Sequence, residues 1–331
     1  MSASKGKLKP LAELPVGRQA DFFAILLDRK RGTTREGRPY FHCRFGDARR
    51  TVSFMAWSDD RWYAKAEAEW RPGQFYKLRG VYSEHERYGP QIELMNLRPV
   101  KEGDEADGFD PSLLVEMPPY EPTLLLGELR SLVEANIANE AHRALVLDLL
   151  DRHAEELLRL PATRDRAYPY RGGLLEHTLA VATTALDLAG RYADRFSTPL
   201  DRDLVCAAAV LHDLGRVLEF GDESPVPSVT VPGRLAGVHV LGRDLIRDAS
   251  RERGDIDAGW LALLEHLILT VGERGHGKGP VVPEGLILQH ADELDLEMSL
   301  FARCLGRDAG EGQFTDRDPA LGRRLLKRKQ G

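Results

Sequence analysis

The stretch Leu204-Val-Cys-Ala-Ala-Ala-Val-Leu-His-Asp-Leu-Gly215 decides how this chain is read. An unbroken apolar run leads into the adjacent pair His212-Asp213, and a glycine follows. The run reads as a buried helix whose last turn carries the pair, with the glycine as its stop. A charged Asp at the end of such a helix is costly to bury unless something compensates it, and a metal ion does so. Imidazole and carboxylate are donors that suit Mn, Fe, Zn and Ni.

Further His and Asp residues lie on either side, each in or beside its own apolar segment. His177 follows Gly172-Gly-Leu-Leu-Glu and opens a helical pattern of Leu179, Val181, Ala182, Ala185, Leu186 and Leu188. His239 comes next, then His266 within Leu261-Ala-Leu-Leu-Glu-His-Leu-Ile-Leu269. Asp292 lies in Leu286-Ile-Leu-Gln-His-Ala-Asp-Glu-Leu294, with His290 just before it. A single His on an apolar face is more often a hydrogen-bonded core residue than a ligand. A whole series of them is better explained by one convergent site in a helical bundle.

Residues 16–100 have a different texture. Short alternating runs at 16–27, 39–45, 50–57, 75–82 and 91–95 are separated by turn signals. A polar, helical stretch from Asp59 to Trp70 stands between the third and fourth. Five strands with a helix in that place is the order of an OB-fold, a small β-barrel. Such barrels bind single strands by stacking bases on aromatics while basic residues follow the backbone. The candidates are Tyr40, Phe54, Trp57, Tyr82 and Tyr88, with Arg44, Arg50, Lys77, Arg79 and Arg87. Alternation puts Phe41, Cys43 and Phe45 on one face of a strand and His42 and Arg44 on the other, so some aromatics must be core.

Charge divides in the same way. Residues 1–100 hold 19 Lys and Arg against 12 Asp and Glu, leaving 27 against 40 of the totals 46 and 52 to the rest. A basic module joined to an acidic one suits a partner that is a polyanion and a centre that holds cations. Cys43, Cys206 and Cys304 are odd in number and far apart, which argues against a disulfide framework or a Cys-based zinc site. No run approaches the ~20 apolar residues a membrane helix needs, so a soluble, cytoplasmic protein with no membrane partner is expected. The organisation expected is a barrel over 1–103, a linker over 104–122, a helical domain over 123–305 and a basic tail over 306–331.

The series His177, His212-Asp213, Asp292 resembles the H…HD…D signature of the HD superfamily of metal-dependent phosphohydrolases. His239 and His266 resemble its longer form, which holds two metals. The stretches Pro169-Tyr-Arg-Gly-Gly-Leu-Leu-Glu-His-Thr178, Leu211-His-Asp-Leu-Gly215, His266-Leu-Ile-Leu269 and Phe314-Thr-Asp-Arg317 are similar to the YhaM family of 3′→5′ exoribonucleases. In that family an OB-fold precedes an all-helical HD domain.

The resemblance implies hydrolysis of single-stranded RNA, possible for DNA too, to nucleoside 5′-monophosphates, with metal-bound hydroxide as nucleophile. It assigns His177, His212 and Asp292 to one ion, His239 and His266 to a second, and Asp213 to both. Mn²⁺ is the expected ion, with Fe, Co, Ni and Zn compatible, and assembly as a homo-oligomer is left open.

Two departures stand out. HD enzymes of this type usually carry Lys in His-Asp-x-Gly-Lys, where this chain has Arg216; an Arg can anchor phosphate but is a poor proton donor. The family pattern also has His directly after Gly, against Gly237-Val-His239 here, and one residue turns a helical side chain by about 100°. Two other readings stay open: an HD phosphodiesterase or nucleotidase for a small nucleotide, and a nucleic-acid-binding protein with an impaired HD centre.

Overall fold

The computed structural model describes residues 8–85, 88–196, 199–221, 225–272, 279–308, 312–315, 317–318 and 320–328. The chain divides into two compact units: 1–117 with 224–226 and 303–331, and 118–223 with 227–302.

The first unit is built on β1 (Gln19–Thr33), β2 (Pro39–Gly46), β3 (Thr51–Trp57), β4 (Phe75–His85) and β5 (Gly89–Pro99), with α1 (Arg61–Ala68) between β3 and β4. The strands close into a barrel in the order β1-β2-β3-β5-β4. This is the expected OB topology. β1 runs further than its sequence pattern suggests because it serves two neighbours. Gln19–Ile25 pairs with β4, Ile25–Thr33 pairs with β2, and a bulge between Leu26 and Asp28 bends the strand from one to the other.

Period-two alternation fills the barrel. Phe22, Ala24, Leu26, Phe41, Cys43, Phe45, Tyr76, Leu78 and Tyr82 are buried, as are Trp62 and Trp70 from and just after α1. Asp60 caps the start of α1 by accepting the Trp62 N–H at 3.0 Å. Arg29 closes its other end, donating to the carbonyls of Ala66, Glu67 and Trp70.

Two stretches read from their polarity as linker and tail are bound into this unit. Asp104 is buried, accepts both ends of the Arg98 guanidinium at 2.6 and 2.7 Å, and also accepts the Lys101 N–H at 2.9 Å. Phe109 lies against Phe23 and Phe75 with ring centroids 5.4 and 5.6 Å away. Near the C-terminus, Phe314 and Leu326 form a β-bridge and Leu325 is buried. Glu116 meets both Arg303 and Arg307. A few apolar residues and well-placed acids hold segments that their overall charge would leave in water.

The second unit is helical: α2 (Pro122–Asn136), α3 (Glu140–Arg152), α4 (Ala154–Arg159), α5 (Gly173–Phe196), α6 (Arg202–Leu211), α7 (Arg216–Glu219), α8 (Val231–Arg253), α9 (Ala258–Thr270) and α10 (Pro283–Arg307), the last turn of α10 falling in the first unit. α6 is its axis. Every residue from Leu204 to Leu211 is buried, which is why the run has no polar face. It packs against α2, α3, α5 and α9. Asp201 caps its start through the Leu204 N–H at 2.9 Å. Among the described residues no helix is long and apolar enough to cross a membrane.

Candidate metal centre and strand-binding surface

α6 ends at Leu211, so His212 and Asp213 emerge on the turn that joins it to α7. The glycine that follows is there for packing. A Cβ on Gly215 would lie 1.9 Å from the Val238 carbonyl oxygen and 2.6 Å from the Gly242 nitrogen. Only a hydrogen side chain lets α8 come that close to the His-Asp turn. His177 arrives from the first turn of α5, and Asp292 from the buried face of α10.

His177 Nε2 lies 3.2 Å from His212 Nε2 and 3.2 Å from Asp292 Oδ1, and His212 Nε2 lies 3.8 Å from the same oxygen. Donor atoms of His177, His212 and Asp213 fall within 4.8 Å of one another, and all three residues are buried. The far side of each ring is already committed. His177 Nδ1 is 2.7 Å from Asp295 Oδ2, and His212 Nδ1 is 2.8 Å from the Ala209 carbonyl. Both acceptors place a ring proton on Nδ1, so in the neutral form of each ring the Nε2 lone pair faces the other.

That arrangement asks for a cation. Ligands around an ion ~2.1 Å away lie about 3.0 Å apart at right angles and about 3.4 Å apart at tetrahedral angles. The two 3.2 Å spacings fall in that range, the 3.8 Å spacing is somewhat wider, and the donor set has nitrogen and oxygen without thiolate. The residues therefore fit a divalent ion such as Mn, Fe, Co, Ni or Zn.

Without an ion, a proton on His177 and the Arg216 guanidinium supply the positive charge that the acids of this centre call for. Burial works against charge on His177, but hydrogen bonds to Asp292 and Asp295 and the nearby Asp213 outweigh it and raise its pKa to about 9. For Asp213, burial opposes the charge, and Arg216 with the surrounding histidines overcomes it, holding the carboxyl well below the usual range. Arg216 Nε lies 3.3 Å from Asp213 Oδ2, and its Nη1 lies 2.5 Å from Glu219. Burial disfavours that guanidinium, while Asp213 and Glu219 more than restore it, so it is a permanent cation. It is engaged with Asp213 rather than left open as a phosphate clamp.

His239 and His266 are not part of the converging group. α8 is not one continuous helix: Gly237 has φ 77° and ψ 164°, a break that only glycine takes readily. The step of 100° per residue therefore does not apply across it. His239 lies beside Gly272, with burial lowering its pKa while Asp213 and Asp292 act against that. His266 Nε2 accepts the Val281 N–H at 3.1 Å, so its free lone pair is taken. His290 is exposed, and Glu273 and His276, further candidate donors in the Gly-rich stretch 272–279 after His266, lie outside the described residues.

Two residues that the sequence reading missed stand directly behind His177. Asp295 holds its Nδ1, and Tyr168 donates to the other oxygen of Asp295 at 2.9 Å. The i,i+3 spacing of Asp292 and Asp295 on one apolar-faced helix was the available signal.

In the barrel, the candidates for strand binding separate by burial. Phe54 is 8% exposed and Tyr82 1%, so both rings are core and cannot stack a base. Arg50 donates to the carbonyls of Leu11 and Leu14 and lies over the Tyr82 ring, fastening the N-terminal segment. Lys77 and Arg79 belong to β4, away from β2 and β3 in the barrel order, and pair with Asp107 and Asp21. Arg87 lies outside the described residues.

Tyr40 and Trp57 do meet, on the outer side of the β2–β3 pair, with centroids 5.3 Å apart. Arg38 lies 5.0 Å over Trp57, and Arg44 shares this face beside Asp28 at 3.7 Å. The Tyr40 ring covers Gly32 so closely that a Cβ there would touch it at 2.4 Å. Tyr88 is exposed at the β4–β5 turn, its ring 4.7 Å from that of His85. The β2–β3 face and the β4–β5 loop are the parts of this fold that bind oligonucleotides.

Comparison with known proteins agrees with this architecture. The HD-domain family model matches residues 174–297, the segment that carries all six candidate ligands. A second model, TraI_2, a helicase family, overlaps it over residues 124–219, although this segment has no Gly-Lys-Ser/Thr phosphate loop. The 3′-5′ exoribonuclease YhaM of Bacillus subtilis (strain 168) is 29% identical over 311 residues, covering 92% of this chain and 93% of its own. With an OB barrel ahead of an HD domain and a match along nearly its whole length, this chain is similar to the YhaM type.

Proposed function

We propose that this chain is a metal-dependent 3′→5′ exonuclease that hydrolyses single-stranded RNA to nucleoside 5′-monophosphates. The observation that carries the reading is the convergence of His177, His212, Asp213 and Asp292, with the two Nε2 atoms 3.2 Å apart and Asp292 Oδ1 within 3.8 Å of both. These four residues would hold a divalent ion, for which we take Mn²⁺. Bound there, it supplies acidification of water and neutralisation of charge on the phosphoryl oxygens.

The protein's own groups do the rest. Asp295 and the Ala209 carbonyl keep the two rings oriented. Arg216 holds one oxygen of Asp213 and places a fixed positive charge beside the centre. As a guanidinium it anchors or positions and does not deliver a proton. A second ion at His239 and His266 requires His266 to release the Val281 amide. On the barrel, Tyr40 and Trp57 offer ring faces to bases, with Arg38 and Arg44 beside them for phosphates.

A small-nucleotide hydrolase has no use for that aromatic face, and an impaired centre sits poorly with four donors that still converge. The test is a time course on 5′-labelled single-stranded RNA with Mn²⁺, comparing the wild type with Asp213→Ala. A ladder shortening from the 3′ end, absent in the variant and with chelator, is expected. Intact RNA that nonetheless shifts on a native gel would overturn the reading in favour of a binding protein.

A further inference from the structure

Tyr168 is the one non-glycine residue with a left-handed backbone among the described residues, at φ 46°. A side chain persists there only where the surroundings over-determine it. They do so here. The Ala162 N–H donates to the Tyr168 carbonyl at 3.1 Å, Thr163 Oγ1 donates to the Ala167 carbonyl at 2.7 Å, and the Arg166 N–H donates to Thr163 Oγ1 at 3.1 Å. Gly173, at the start of α5, comes so near that a Cβ would lie 2.3 Å from the Tyr168 carbonyl oxygen. This tightly built loop delivers one hydroxyl to one place: Asp295 Oδ1, at 2.9 Å. The other oxygen of that carboxylate takes His177 Nδ1 at 2.7 Å.

We propose that Tyr168 and Asp295 are positioning residues that fix the tautomer of His177, and through it the metal affinity of the centre. The proposal rests on the metal reading above. A carboxylate only accepts, so it draws a proton from Tyr168 on one side and from His177 Nδ1 on the other. With Nδ1 carrying the proton, Nε2 is left as the lone pair that faces His212 and Asp292.

The relay has a consequence that packing alone does not. In Asp295→Asn the tyrosine hydroxyl selects the amide oxygen, so the amide NH₂ faces His177 Nδ1. The imidazole then carries its proton on Nε2, the atom the ion needs. Removing the hydroxyl as well frees the amide to turn over and accept from Nδ1 again. Tyr168→Phe should therefore rescue Asp295→Asn, although each change removes a hydrogen bond.

The experiment is calorimetric titration of Mn²⁺ into the metal-stripped full chain, for the wild type, Asp295→Asn, Tyr168→Phe and the double variant at one pH. Asp295→Asn is expected to bind Mn²⁺ about 10–100-fold more weakly, the range for losing an outer-shell partner of a ligand. The double variant is expected to bind at least about threefold more tightly than Asp295→Asn, as partial recovery of that loss. Affinity for Asp295→Asn within about twofold of wild type, well short of that range, overturns the proposal. So does a double variant no tighter than the single one. Should circular dichroism show Asp295→Asn unfolded, Tyr168→Phe decides alone: weaker Mn²⁺ binding at an unchanged melting temperature supports the relay, and unchanged affinity overturns it. A wild type that takes up no Mn²⁺ overturns the metal reading itself, and this inference with it.

Discussion

His177 Nε2 and His212 Nε2 lie 3.2 Å apart, and each ring has its other nitrogen tied to an acceptor. Two lone pairs at that separation repel unless a cation or a proton lies between them. Metal-free protein should therefore gain stability from the ion. At Mn²⁺ a hundredfold above its dissociation constant the gain is about 2.7 kcal/mol, visible as a rise in melting temperature. His212→Ala should lose both the rise and the nuclease activity. A variant that is still stabilised by Mn²⁺ to the same extent would place the ion elsewhere.

Arg216 bridges Asp213 and Glu219, and this sets what a lysine can do in its place. A lysine ammonium is a point charge without the planar fork, so it cannot hold both carboxylates in the same geometry. Arg216→Lys should fold normally and lower single-turnover cleavage about 10–100-fold, as loss of a ligand's outer-shell support does. Undiminished cleavage would mean that Arg216 contributes only charge.

On the barrel, burial predicts opposite phenotypes for two aromatics on the same strand. Trp57 is half-buried on the outer face, so Trp57→Ala should keep the fold and weaken single-stranded RNA binding by about 1–3 kcal/mol. Phe54 is core, so Phe54→Ala should cost about 3–5 kcal/mol of stability. Filter binding and thermal melting together separate the two. The reverse pattern would mean that the β2–β3 face is not where the strand lies.

Much of this was legible in the sequence, and the reasons differ by element. The barrel strands and the buried α6 follow from periodicity, because each element has a single way to hide its apolar residues. His177, His212, Asp213 and Asp292 were legible because each polar group sits in an apolar run. The failures share a cause as well. Whether Tyr82 or Trp57 faces out, whether Lys77 is spent on Asp107, and how the break at Gly237 aims His239 depend on partners distant in sequence. Tyr168 was hidden because its role comes from a backbone strain that no composition reveals.

Gly215 gives a test of how the centre is assembled. Its Cα faces the Val238 carbonyl and the Gly242 nitrogen, both backbone atoms of α8 that cannot rotate away. Gly215→Ala must push α8 off the His-Asp turn, at about 1–3 kcal/mol for overpacking a tight contact. Mn²⁺ affinity should fall with it, because the turn carries two of the four donors. Gly254→Ala, at a left-handed C-cap with open space around it, should destabilise without changing Mn²⁺ affinity. Equal affinities in the two variants would show that the α8 contact does not shape the site.

Asp104 makes the barrel unit sensitive to acid. Its bidentate bond to Arg98 is the main cause that holds its carboxyl well below the usual range, with burial opposing and the Lys101 N–H adding to it. A carboxyl whose folded pKa is depressed contributes stability that is fully present above its unfolded pKa of about 3.9 and is lost as pH falls through the folded value. Asp104→Asn removes the charge at every pH. The variant should therefore be less stable than wild type at neutral pH by about 1–3 kcal/mol, the cost of weakening charged hydrogen bonds at a buried group. The gap should begin to close below pH 4 and keep closing as the wild-type carboxyl protonates. Denaturant unfolding of both proteins at a series of pH values, followed by tryptophan fluorescence of Trp62 and Trp70 in the barrel core, measures that gap. A gap that stays constant from neutral pH down to pH 2 would show that the Arg98–Asp104 pair holds the segment by shape and not by charge.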